Sequence, residues 1–352
     1  MSRRQFIKWL LSLAALCAAT FAGWRFWLRR EPAGTSEPND SGTAVAPSGS
    51  SEGSERPAPL ADGSLLGVMI LSDTHVNSGF EEQSDKLRKA LDDTSRFDSR
   101  IDALLITGDI TDAGTDADYR EYANVMKAYK KLPAVHANMG NHDYYGIWID
   151  KDGQWSKDSM PNGKSDEHSR RAFMSQFGLE RTYHDFYVNG FHFIMLSQEA
   201  YVQEKPEVGE GAWYSDEQLA WFKKALEPHK DGSPVFVMIH QPLPAIGQDG
   251  GSHQLIRAQA FRSLLKPYAN VFVFSGHRHQ NFRSGEHYSK ETFHWFQNAS
   301  VGRTRPVQQG DNTPTAQGLY VQVYADKVVL RAREFMDRTW IAEGSWTIPL
   351  KR

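Results

Sequence analysis

Residues 65–352 are predicted to form an α/β fold, and three observations predict it. Short apolar runs alternate with stretches of helical periodicity, the layout of strands linked by helices. Five of those runs end directly in clusters of Asp, His and Asn, as strands do when a sheet carries a ligand site at its edge. One Asn-Gly dipeptide between two apolar runs marks a hairpin.

Taken in order, residues 67–71 read as a buried strand, 80–96 as a helix and 103–107 as a second strand. The scheme repeats with a helix at 116–131 and an extended run at 133–139. The runs 186–188 and 191–197 flank Asn189-Gly190, a pair that accepts the positive φ of a two-residue hairpin turn. Ser215-Asp216-Glu217-Gln218 has the spacing of a capping box and opens a helix ending at Leu226. Further strands are read at 235–239, 271–274, 293–296, 318–324 and 328–332. No internal repeat is visible.

The N-terminus reads as an address rather than as fold. Ser2-Arg3-Arg4-Gln5-Phe6-Ile7-Lys8 precedes an apolar run at 9–24, and the pattern resembles a twin-arginine export signal. A short membrane anchor with basic flanks is the other reading of 1–30, and cleavage after Ala22 stays open. Both readings place the remainder outside the cytoplasm, in the periplasm or on the outer face of the cytoplasmic membrane. The first adds the twin-arginine export machinery as a partner, the second a membrane tether. Residues 31–64 are rich in Pro, Gly, Ser, Ala and Glu with almost no large apolar side chain, so this segment is expected to be a disordered linker.

Composition excludes several chemistries. The 352 residues carry a net charge of -3, without the basic excess that phosphate-backbone binding needs, so no nucleic acid is expected as a specific partner. The one cysteine, Cys17, lies in the N-terminal apolar run, so the folded part has neither thiolate nor disulfide. Oxygen and imidazole groups must carry any reaction.

Those groups stand in five clusters: Asp73-Thr74-His75, Gly108-Asp109-Ile110-Thr111-Asp112, Gly140-Asn141-His142-Asp143, His240, and Gly276-His277-Arg278-His279. Singly each is an ordinary turn or cap motif. Five in this order, each closing an apolar run, are not. Together they resemble the calcineurin-like metallophosphoesterase superfamily, whose pattern is D-x-H, G-D-x-x-D, G-N-H-[D/E], H and G-H-x-H. Within it the chain looks most similar to the class III cyclic nucleotide phosphodiesterase branch, which also holds enzymes of other specificity. The resemblance implies a four-layer α/β/β/α sandwich of two mixed sheets, with a dinuclear metal site at the strand ends. It implies Asp109 as the bridging ligand, Asp73, His75 and His279 on one ion, and Asn141, His240 and His277 on the other. Nitrogen and oxygen ligands suit two divalent ions drawn from Fe, Mn, Zn or Co. Purple acid phosphatases place a tyrosine ligand after the G-D, and this chain has none before Tyr119, so a ferric-tyrosinate centre is not expected.

The implied reaction is hydrolysis of a phosphate ester, with diesters favoured, by a water that the metal pair deprotonates. His142 is implied as the general acid and Asp112 as the carboxylate holding it, although Asp112 is also placed to cap the helix near Thr115. A phosphomonoesterase, or a non-catalytic metal- or phosphate-binding module of the same fold, are the alternatives. Other residues carry two readings each. His136 reads as a core histidine bonded to backbone, and His253 as either substrate-facing or solvated. Arg303 and Arg305 read as a surface salt bridge rather than a phosphate clamp. The insert at 144–169 reads as either a wall over the metals or a surface loop. The oligomeric state is left open.

Overall fold

A computed structural model describes residues 62–351. The predicted export signal at 1–30, and the predicted linker up to residue 61, lie outside the described residues.

The chain begins with β1 (Leu66–Leu71), α1 (Glu81–Ser95), β2 (Ala103–Thr107), α2 (Asp116–Lys127) and β3 (Ala134–Asn138). Next come α3 (Asp166–Phe177), the hairpin of β4 (His184–Val188) and β5 (Phe191–Met195), and α4 (Asp216–Leu226). Then follow β6 (Val235–Met238), α5 (Ala258–Leu265) and β7 (Val271–Ser275). The last strands are β8 (Tyr288–Lys290), β9 (His294–Gln297), β10 (Gln317–Val323), β11 (Lys327–Glu334) and β12 (Thr339–Pro349).

They build two six-stranded sheets, in the orders β12-β11-β10-β1-β2-β3 and β4-β5-β6-β7-β9-β8. In the first, β1, β2 and β3 are parallel, and β10 joins β1 antiparallel. In the second, β5, β6, β7 and β9 are parallel, with β4 and β8 antiparallel at the two edges.

Alternation along each strand assigns the layers. Val68, Ile70 and Leu105 share one core with Phe193, Phe236, Phe272 and Phe274 of the other sheet. The intervening Met69, Leu71, Leu104 and Ile106 meet Leu91, Tyr122 and Phe173 of the helices α1, α2 and α3. On the far side Ile194, Val237 and Val273 pack against Phe222 of α4 and Phe261 of α5. The result is the expected helix–sheet–sheet–helix sandwich of two mixed sheets. Strands covered on both faces are apolar at nearly every position, which is why β1, β2, β6 and β7 are legible as unbroken runs.

Three local readings need correction. The helix expected at 116–131 ends at Lys127. The capping box at 215–218 is half formed: Ser215 Oγ accepts from Gln218 N at 3.0 Å, but Ser215 N donates to Glu199 Oε2 at 2.6 Å instead of to Gln218. A carboxylate is the stronger acceptor and displaces the amide. The insert at 144–169 is not one or the other of its two readings but partly both: Tyr145 stacks on His142 at the candidate centre, residues 151–155 are exposed, and Ser165 caps α3 by accepting from His168 N at 3.1 Å. The hairpin stands as read, with φ of 52° at Asn189 and 75° at Gly190. Among the described residues no helix is long and apolar enough to cross a membrane.

Candidate metal centre

All five clusters sit at the C-terminal ends of parallel strands, namely β1, β2, β3, β6 and β7. Past the strands the first two clusters keep pairing: Asp73 N donates to Gly108 O at 3.1 Å, His75 N to Asp109 O at 3.0 Å and Val76 N to Ile110 O at 3.1 Å. This continued ladder carries the ligand-bearing loops with the rigidity of a sheet. Glycine is required where the loops cross. A side-chain carbon at Gly140 would stand 2.1 Å from Asp109 Oδ1, and one at Gly276 would stand 2.0 Å from Ser72 Oγ.

The clusters converge on two groups of donor atoms that share Asp109. Asp73, His75, Asp109 and His279 form one group, and Asp109, His240 and His277 the other. In the first, His279 Nε2 lies 2.9 Å from His75 Nε2 and 3.0 Å from Asp73 Oδ1, and His75 Nε2 lies 3.7 Å from Asp109 Oδ2. In the second, His240 Nε2 lies 3.1 Å from Asp109 Oδ2, while Asn141 Oδ1 lies 2.9 Å from His277 Nδ1 and adds an amide oxygen. Donors held at about 2.1 Å from one ion stand roughly 3 to 3.5 Å apart, so both groups have the dimensions of a coordination shell. Asp109 Oδ2 and His240 Nε2 are moreover buried and face each other at 3.1 Å without a well-aligned hydrogen bond, an arrangement that a shared cation would satisfy better. The residues present therefore fit two metal ions.

Burial opposes charge throughout the site, and neighbours decide which groups overcome it. It raises the Asp73 carboxyl, but His279 and His240 bring that group down to about 2. Burial also raises Asp109, which His240 and His142 nonetheless drive well below the usual carboxylate range. Burial pushes His75 and His277 down to about 3, with neighbouring imidazoles adding to the effect. Both rings are thus neutral and offer a lone pair, as a metal ligand must. His240 is lowered by burial and then raised to about 9 by Asp109. Its proton is the charge that an entering cation would replace.

His142 stands at the open rim, with its side chain 18% exposed, while Asp73 and His75 are sealed at 0%. Its Nδ1 lies 2.8 Å from the Asp112 carbonyl oxygen and 3.3 Å from Asp112 Oδ1. A carbonyl only accepts, so Nδ1 carries the hydrogen and Nε2 is the nitrogen that gains or loses a proton. Burial lowers His142, and Asp109 and Asp112 outweigh it, so its pKa lies above the ordinary 6.5. Asp112 is not a helix cap: Thr115 caps α2 by accepting from Asp118 N at 3.1 Å.

Several residues were missed or misjudged by sequence reasoning. Arg303 forms the expected salt bridge, but with a residue of the site: its Nη2 donates to Asp112 Oδ2 at 2.7 Å. It reaches there because the segment after β9 folds back along β1, with Val301 N on Ser72 O at 3.0 Å and Gly302 N on Asp73 O at 3.0 Å. Asp143, fully buried, accepts from Gly140 N, Thr111 N and Tyr119 Oη, tying the second cluster to the third. His253 Nδ1 lies 3.3 Å from His277 Nε2, so the loop histidine faces a candidate ligand. His136 stacks on Phe186, with ring centroids 3.4 Å apart, rather than resting on a backbone bond. Glu210 gives no motif signal, standing alone in a loop; only the fold shows it bonded to Asn141 Nδ2 at 2.8 Å.

The calcineurin-like phosphoesterase family model matches residues 66–281, more than half of the chain. A probable glycerophosphodiester phosphodiesterase of Arcobacter nitrofigilis is 25% identical over 223 residues, covering 60% of this chain and 71% of that protein. A 3',5'-cyclic adenosine monophosphate phosphodiesterase of Haemophilus influenzae is 20% identical over 234 residues, covering 64% and 73%. Among solved structures, a dimetal phosphatase from Danio rerio shares the fold with a TM-score of 0.57 at 15% identity, covering 82% of this chain and 100% of that one. With the family's span running from β1 through the last histidine cluster, the chain belongs to the calcineurin-like phosphoesterase family.

Proposed function

We propose that this protein hydrolyses phosphodiesters with two divalent ions held by its strand-end clusters. The observation that carries the reading is the pair of donor groups sharing Asp109, with a protonatable imidazole at their open rim. Asp73, His75 and His279 would hold one ion, Asn141, His240 and His277 the other, and Asp109 both. When bound, such a pair supplies Lewis acidity toward phosphate oxygens and a water deprotonated near neutral pH.

The remaining chemistry belongs to side chains. His142 acts as general acid from Nε2, because Nδ1 is committed to the Asp112 carbonyl. Asp112 positions that ring and keeps it protonated, and Arg303 holds the other oxygen of the same carboxylate. Support for diesters comes from the names of the two relatives above, both phosphodiesterases at low identity.

The test is a panel of diesters, cyclic nucleotides and monoesters, assayed after loading with Mn, Zn, Co or Fe and compared with His142→Asn. Diester turnover that falls roughly 10²- to 10⁴-fold in the variant is expected. Predominant monoester turnover would replace diester by monoester in the reading. No turnover with any metal would favour a binding module.

We further infer that the protein works outside the cytoplasm, from the likeness of residues 2–8 to a twin-arginine signal. A reporter fused to residues 1–64 should lose export when Arg3 and Arg4 are both changed to Lys. Undiminished export would remove that inference.

A further inference from the structure

We infer that Glu210 is a positioning residue: it fixes the Asn141 amide with its oxygen toward the second donor group and holds Tyr145 against His142. The inference rests on the two-ion reading above.

Asparagine is an ambiguous ligand. Its two amide ends are nearly the same size, the torsion that exchanges them is soft, and only the oxygen has a lone pair for a metal. Something must choose between them, and here it is a carboxylate. Asn141 Nδ2 donates to Glu210 Oε2 at 2.8 Å and to Tyr145 Oη at 3.2 Å, while Oδ1 stands 2.9 Å from His277 Nδ1. Exchanging the ends would set the amide oxygen against Glu210 Oε2, two acceptors with no hydrogen between them. The wrong orientation is repelled as well as unrewarded, which discriminates more strongly than a neutral partner would.

The same carboxylate reaches the acid. Tyr145 Oη donates to Glu210 Oε2 at 2.7 Å, and the Tyr145 ring stacks on His142 with centroids 4.1 Å apart and planes 30° apart. Tyr201 Oη donates to Glu210 Oε1 at 2.7 Å and in turn accepts from Trp148 Nε1 at 3.3 Å. These side-chain partners are all neutral, so the negative charge stays available to the cation that Asn141 would hold. The Glu210 backbone is anchored as well: its carbonyl accepts from Gln241 Nε2 at 3.1 Å, one residue past His240. One carboxylate thereby sets the orientation of a metal ligand and the packing of the proton donor.

Calorimetric titration of Mn²⁺ into the metal-free chain, read together with the electron paramagnetic resonance of the loaded protein, tests this. Wild type should take two ions and show an exchange-coupled pair. Glu210→Leu should bind the second ion roughly 10- to 100-fold more weakly and the first unchanged, the usual consequence of removing a partner behind a ligand. Glu210→Gln should keep most of the second-ion affinity, since its amide oxygen still accepts from Asn141 and its NH₂ donates to Tyr201 Oη. Equal second-ion affinity in Glu210→Leu, or equal loss at both sites, would overturn the inference.

Should Glu210→Leu not fold, a donor–acceptor exchange decides instead. Asn141→Asp sets two carboxylates together, and adding Glu210→Gln to it should recover second-ion affinity at least about tenfold by restoring a donor between them. No recovery would overturn the inference. A wild type that never forms a coupled pair would overturn the two-ion reading itself, an outcome distinct from a Glu210 effect that fails in a protein holding both ions.

Discussion

At the scale of single residues, backbone conformation marks the site as clearly as side-chain chemistry does. Five of the seven expected ligands, Asp73, His75, Asp109, His277 and His279, have left-handed φ between 47° and 70°. Such conformations cost on the order of 1–3 kcal/mol each outside glycine, so five approach the net stability of a domain. Asp and His tolerate this region better than branched residues do, but the cost is still offset elsewhere, by burial of side chains such as Phe193 and Phe236 between the sheets at about 1.5–3 kcal/mol apiece. Residue by residue, the ligands are legible in the sequence because each follows an apolar run. Glu210 and Arg303 are not, because their role depends on loops that meet only in the fold. The Asp112 assignment predicts a pH effect with a definite sign. His142 must be protonated to donate; Asp109 and then Asp112 raise it in the metal-free chain, and of these Asp112 is the carboxylate not assigned to a metal, so the alkaline limb of the rate profile should depend on Asp112. Asp112→Asn should move that limb to lower pH while activity at acidic pH is kept better than at pH 8. A limb that does not move would remove Asp112 from the acid's surroundings.

At the scale of elements, the site is a property of strand ends. β1 and β2 extend their pairing through the first two clusters, and the turn after β7 crosses against β1 at Gly276. Gly276→Ala would place a methyl carbon 2.0 Å from Ser72 Oγ and 2.4 Å from Asp73 Oδ2. The overpacking should cost about 1–3 kcal/mol and displace Asp73, with loss of one ion in metal analysis but an unchanged far-ultraviolet circular dichroism spectrum. Retention of both ions would show that the crossing has more room than the structure gives it. The elements that escape sequence reading do so for separate physical reasons. β12 is exposed along one side, carries Gly344 and pairs across a register shift at Arg331/Ala332, so its apolar pattern is broken. α5 has eight residues and no side-chain cap, and α3 begins inside a segment whose composition reads as loop.

At the scale of the whole molecule, the sandwich buries His229 and His294 and half-buries His136 and His184, none of which takes part in the site. Burial lowers His136, His229 and His294 to about 4, and His184 to about 3. For each, the unfolded chain binds a proton that the folded chain resists. Their contribution to stability is thus complete above pH 6.5 and is lost as pH falls toward about 4. The melting temperature of the metal-free protein should fall across that window, by roughly 2–4 °C for each kcal/mol lost. The fall should persist in a His142→Asn variant, which separates it from titration of the candidate acid; His75 and His277, which burial also lowers to about 3, add to it. A flat melting temperature between pH 6.5 and 4 would contradict the burial of these rings.

The central claim is that catalysis needs both donor groups filled at once, because Asp109 serves each. Diester hydrolysis measured as Mn²⁺ is added stepwise to the metal-free chain tests it most directly. Turnover should stay near background through the first equivalent and rise with the second, and Asp109→Asn should abolish that rise. Full activity at one equivalent, or activity that survives loss of Asp109, would contradict the account.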